Sequence, residues 1–181
     1  IAYRMTPDGE AQPTRQTGFH PRTSELARNL SGLCGFLLAN EFNQHGGIEG
    51  YLGLREKTIH IHLVPFPKFE VPGPQAGGLV ATVLTRNIRK LAVGQVVYTA
   101  MCYPHGGMID DGTLLRLGPD NFRWIGGDDY GGIWMREKAA ELGYRAWVKS
   151  STDQLHNVAV QGPKSRDILK EIIWTPPAQP T

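Results

Sequence analysis

The sequence predicts an α+β fold: an antiparallel or mixed sheet with helices packed on one face. Three observations predict it. Short runs rich in Val, Tyr, Thr and Phe, such as 94–101 and 122–125, read as strands bounded by Gly, Pro, Asn and Asp. Segments with helical spacing stand between such runs, at 75–84, 128–142 and 164–172. A strand, Gly-Pro, helix pattern also occurs twice, as Val71-Pro72-Gly73-Pro74-Gln75-Ala76 and Val160-Gln161-Gly162-Pro163-Lys164-Ser165. Two such units around antiparallel strands suit a layered sheet.

Composition bounds the function classes. A chain of 181 residues fits one domain, or one domain with an ordered extension. Hydrophobic residues at 40% and charged ones at 20% make a globular chain. Two cysteines, Cys34 and Cys102, cannot build a disulfide framework and suit a reducing, cytoplasmic setting. A net charge of +2 is too small to indicate nucleic acid. The apolar run 33–39 is far short of the roughly 20 residues of a membrane span. The chain starts at Ile1 and ends in Pro176-Pro177-Ala178-Gln179-Pro180-Thr181, which suggests a piece of something longer.

The elements follow in order. Residues 1–23, with Pro7, Pro13, Gly18 and Pro21, read as an extended arm. Ser24 caps an expected helix carrying Leu26, Leu30, Leu33 and Leu37, weakened by Gly32 and Gly35. Residues 43–50 read as a loop. Lys68–Val71 is a strand with Phe69 and Val71 on one face, and Pro74 suits the first turn of the helix that follows. Strand 94–101 turns at Gly106-Gly107 and returns through 113–117. Gly118-Pro119-Asp120-Asn121 then turns into 122–125. Asp128 or Asp129 caps the next helix, which ends at Gly143. Strands at 144–149 and 157–161 and a last helix complete the chain. The expected organisation is an arm and helical segment over 1–50, the main domain over 51–175 and a Pro-rich end over 176–181.

Chemistry concentrates in Tyr98 to Gly112, where a tyrosine, a histidine, Gly-Gly and two adjacent aspartates surround one strand-turn-strand. Neighbours on a strand face opposite ways, so only one of Asp110 and Asp111 can face a given pocket. One of them is a candidate general acid or base. Asp-Asp-Gly read alone is equally a turn with a solvated carboxylate. His60 and His62 would share a strand face, but no zinc-type spacing supports a metal site. Cys102 has no neighbouring base to activate it. Thr85 to Lys90 is a basic cluster that reads as a solvated helix end.

The segments Thr85 to Leu91, Val93-Gly94-Gln95, Tyr98-Thr99 and Gly106 to Thr113 resemble the glycine cleavage T-protein family. Gly73 to Ala76 and Ala159 to Ser165 match further landmarks in the same order. The resemblance covers about residues 51–172. Asp-Asp-Gly-Thr followed by Arg116-Leu117-Gly118 and Phe122-Arg123-Trp124 looks closest to the demethylase-like branch. It implies a tetrahydrofolate-dependent methyl or aminomethyl transferase, present here as an N-terminal portion that would not work alone. Asp111 matches the family's carboxylate at the pterin of tetrahydrofolate, and Tyr98 matches a tyrosine of that cavity. Met101 and Asp110, in the same stretch, join them as folate-binding candidates. The implied partners are folate and a small methylated or aminomethyl donor, and self-association or pairing with the missing C-terminal part. No nucleic acid or membrane is implied. Where the family carries an Asp-Val-Ser-His-like segment, this chain has His62-Leu63-Val64-Pro65, and Tyr103 replaces a common asparagine. Both changes fall on the donor side. They motivate an alternative, a non-catalytic folate-binding or regulatory module that kept the fold.

Overall fold

The computed structural model describes residues 15–17, 19–23, 25–33, 36–42 and 47–173. The chain divides into two compact units, one of residues 1–65 and 156–181, the other of 66–155. Residues 176–181 lie outside the described residues.

In chain order the first unit carries β1 (Arg15–Gln16), α1 (His20–Thr23), β2 (Ala27–Leu33), β3 (Phe36–Phe42), α2 (Gly47–Glu56) and β4 (Ile59–His62). The second unit holds β5 (Lys68–Pro72), α3 (Ala76–Val83), a 3-10 turn (Ile88–Lys90), β6 (Val96–Cys102), β7 (Met108–Gly118), β8 (Asn121–Ile125), α4 (Tyr130–Glu141) and β9 (Lys149–Ser150). The chain then returns to the first unit through β10 (Val158–Gln161) and α5 (Ser165–Ile172). No helix among the described residues is long and apolar enough to cross a membrane.

In the first unit β2 pairs antiparallel with β3, Leu33 opposite Phe36, and β1 runs parallel to β3. This overturns the helix expected through Leu26, Leu30, Leu33 and Leu37. Glycine costs a helix interior about 1 kcal/mol relative to alanine. The interruption at Gly32 and Gly35 therefore favours pairing two short extended runs. Ser24 and Gly35 themselves lie outside the described residues. Residues 47–50 are helical rather than loop, as the first turn of α2. β4 pairs antiparallel with β10, His62 opposite Val158.

The second unit is a five-stranded sheet in the order β6-β7-β8-β5-β9, antiparallel throughout. Its strands alternate. Phe69 and Val71, Met101, Leu114, and Phe122 and Trp124 are buried against Leu79, Val80 and Val83 of α3 and Met135 and Ala139 of α4. Each such large side chain stabilises by about 1.5–3 kcal/mol on burial. Gly132 lets α4 lie on Phe69, since a Cβ there would sit 2.3 Å from the ring.

Two expectations shift here. Residues 144–148 form no strand. Their backbone instead serves the start of α3: Gln75 N donates to the Arg145 carbonyl at 3.2 Å, and Trp147 N to that of Pro72 at 2.9 Å. Gln75 is the residue before the helix, so Pro74 precedes the first turn rather than joining it.

The repeated Gly-Pro pattern has the same geometry in both units. Gly73 and Gly162 have φ of 137° and 130°. A Cβ at Gly73 would lie 2.6 Å from the Arg145 carbonyl oxygen, and one at Gly162 2.5 Å from that of Lys57. Gly73→Ala therefore meets both backbone strain and a backbone clash. We expect it to cost about 2 kcal/mol or more in urea unfolding; an unchanged midpoint would show that the segment at Arg145 moves away freely.

Candidate functional site

β7 carries both aspartates. It pairs with β6 so that Tyr98 opposes Thr113, Ala100 opposes Asp111 and Met101 opposes Asp110. The two-residue period sends Asp110 and Asp111 to opposite faces. Asp110 points to the helix-covered face and is 8% exposed, beside fully buried Met101. Asp111 points to the other, open face, as does Tyr98 at 62% exposure.

The Tyr98 hydroxyl donates a short hydrogen bond to Asp111 Oδ2. Oδ1 has no protein partner among the described residues. A phenol on one oxygen fixes the carboxylate's orientation and leaves the other free for a donor on a ligand. Of the four sequence candidates, then, the fold brings Tyr98 and Asp111 together. It places Met101 and Asp110 on the far side of the sheet.

The register extends this face. One row runs Tyr98, Thr113, Ile125, Lys68, and the next runs Val96, Leu115, Arg123, Glu70, Lys149. Strands about 4.8 Å apart put the ends of the first row about 14 Å apart. Arg123 forms a short ion pair with Glu70. Lys68 is buried, and its ammonium donates to the Phe66 carbonyl at 2.8 Å. Burial pushes its pKa down, and Asp153 opposes that shift. Sequence reasoning missed these charged residues. Their signal was alternation, because Lys68 and Glu70 interleave with Phe69 and Val71, and Arg123 lies between Phe122 and Trp124.

The model of the GCVT N-terminal domain matches residues 19–177 of this chain. The chain belongs to the glycine cleavage T-protein family. It is 58% identical over 180 residues to a trimethylamine-oxide aldolase of Ruegeria pomeroyi, covering 99% of this chain and 23% of that protein. It is 32% identical over 158 residues to an aminomethyltransferase of Herpetosiphon aurantiacus, covering 86% of this chain and 43% of that one. Its fold matches the crystal structure of the glycine cleavage system aminomethyltransferase T from Bartonella henselae with a TM-score of 0.75 at 18% identity, over 87% of this chain and 43% of the other. The chain thus spans less than half the length of these T-protein relatives.

Cys102, at the end of β6, is a half-buried free thiol, and Cys34 and His45 lie outside the described residues. Of the basic cluster, Ile88–Lys90 forms the 3-10 turn, and the Asn87 side chain accepts from Arg89 N at 3.2 Å. Among the described residues no group of three or more His, Cys, Asp and Glu could hold a metal ion.

His60 and His62 do share a neighbourhood, in the first unit. Their ring centroids lie 4.7 Å apart, and Phe19 packs against both rings and against His156. Burial, then repulsion from His60 and His156, pushes the His62 pKa below its ordinary 6.5. The folded state therefore favours neutral His62. Its contribution is full above the unfolded pKa of 6.5 and is lost as pH falls from there through the folded pKa. Urea unfolding at about pH 7.5 and about pH 5.5 should show a loss of stability on acidification that His62→Phe reduces. An equal loss in the variant would assign the effect to other groups.

Proposed function

We propose that the open face carrying Asp111 and Tyr98 forms one wall of a tetrahydrofolate site in a one-carbon transferase, completed by chain beyond this N-terminal portion. The Tyr98–Asp111 pair carries the reading. A carboxylate with one free oxygen, on a face that also presents Val96, Leu115 and Ile125, suits a flat heteroaromatic ring with N–H donors. Bound tetrahydrofolate would supply a nucleophilic ring amine that takes up the carbon unit.

The chain's own contribution follows from the geometry. Tyr98 holds the carboxylate in one orientation. Asp111 Oδ1 would orient that amine and take up its proton. Most of the rate gain comes from holding the reactants in line. The 58% identity to a protein named for trimethylamine oxide supports a small methylated amine-type donor over the glycine-derived aminomethyl group. His62-Leu63-Val64-Pro65, in place of an Asp-Val-Ser-His-like segment, is consistent with a changed donor. The same substitution favours the second reading, a folate-binding module without transfer.

Calorimetric titration of tetrahydrofolate into the protein that carries this chain tests the assignment. Removing a charge-assisted hydrogen bond costs about 1.5–3 kcal/mol, so Asp111→Asn should weaken binding about 10- to 150-fold and abolish transfer. Tyr98→Phe should weaken binding only about 2- to 10-fold, because it loosens rather than removes the carboxylate. Full affinity and transfer by Asp111→Asn would overturn the assignment; saturable binding with no transfer by the unaltered protein would favour the second reading.

A further inference from the structure

The first of the two aspartates is buried and turned away from the open face, a costly arrangement unless its carboxyl oxygens find partners. It is engaged by backbone. Asp110 Oδ1 accepts from the N–H of Asp111 at 2.9 Å, and the N–H of Gly127 is shared by both oxygens at 3.1 Å. Gly127 lies between β8 and α4. One carboxylate thus ties β7 to the chain leading into α4, near the positive end of that helix's dipole.

The surroundings are shaped to this group. A Cβ at Gly126 would lie 2.2 Å from Asp110 Oδ2, one at Gly127 3.2 Å from Oδ1 and one at Gly131 3.3 Å from Oδ2. The same Gly126 Cβ would lie 2.5 Å from Trp124 Nε1, a buried N–H without a hydrogen-bond partner among the described residues. The indole N–H and Oδ2 therefore border one small space that only glycine leaves open.

The place matters as much as the bonds. The β6–β7 register shifts at Met101/Cys102, and Met101 is the residue paired with Asp110. A shift of one residue exchanges the two faces of a strand, so what holds β7 here decides which aspartate faces out. Slipped, β7 would bury Asp111 and expose Asp110.

We propose that Asp110 is a positioning residue whose buried carboxylate pins β7 at this irregularity, so that Asp111 presents its carboxylate beside Tyr98 on the open face. The proposal rests on the reading of Asp111 as the folate-facing carboxylate. Asp110 faces away from the ligand and acts through the backbone of its neighbour.

A double-mutant cycle on the protein that carries this chain tests it, with tetrahydrofolate as the probe and calorimetry as the readout. Asp110→Asn keeps the shape but turns one acceptor into a donor facing N–H groups. It should weaken tetrahydrofolate binding about tenfold when Asp111 is present and less than about twofold in the Asp111→Asn background. Asp110→Ser, smaller and neutral, runs the same cycle if the amide variant does not fold. Equal losses in both backgrounds, or no loss with Asp111 present, would overturn the positioning role. Undiminished binding by Asp111→Asn alone would instead overturn the reading of Asp111.

Discussion

The alternation of side chains along β7 is the constraint on which the candidate site depends. Two acidic residues in succession on an extended strand cannot share a pocket, because the pleat sends them to opposite faces. Asp110 goes under the helices with Met101, Leu114 and Trp124, and Asp111 goes to the open face with Tyr98. One motif therefore serves two needs. Its first carboxylate is spent on backbone N–H groups of β7 and of the chain leading into α4, and its second is left with an oxygen to offer.

That division works only if the sheet is held in one register. The helix layer holds the sheet, and Asp110 holds β7 within it. Leu79, Val80 and Val83 of α3 and Met135 of α4 cover the alternate residues Phe69, Val71, Phe122 and Trp124. Glycines let the layer close. Gly132 admits the ring of Phe69, and Gly73 admits the backbone at Arg145. The same close approach recurs at Gly162 against Lys57 in the other unit, so the twice-used strand, Gly-Pro, helix pattern is one local solution applied to two sheets.

Much of this was legible in the residues, and what was not has physical causes. Phe69 and Val71 declared their shared face because alternation is a local property, and the opposite facing of Asp110 and Asp111 followed from the same rule. The leucines at 26, 30, 33 and 37 were misleading. Their spacing fits a helix, while the decisive term is the pairing of β2 with β3, a contact that no local pattern prints. Residues 144–148 look like a strand and are not one, because their backbone groups are taken by Gln75 and Pro72, some seventy positions earlier. The Glu70–Arg123 pair was hidden for a related reason: it exists because β5 lies beside β8, and sheet order is not written in either segment. Grouping Met101 and Asp110 with Tyr98 followed proximity in sequence, whereas the strand separates them by face.

Hydrogen exchange with and without tetrahydrofolate tests most directly whether that ligand lies on the open face against Asp111 and Tyr98. Bound tetrahydrofolate should slow amide exchange in β6 from Val96 to Cys102 and in β7 from Met108 to Thr113, and Asp111→Asn should need about 10- to 150-fold more ligand for the same protection. Slowed exchange confined to other strands, or an unchanged pattern at saturating tetrahydrofolate, would contradict that placement.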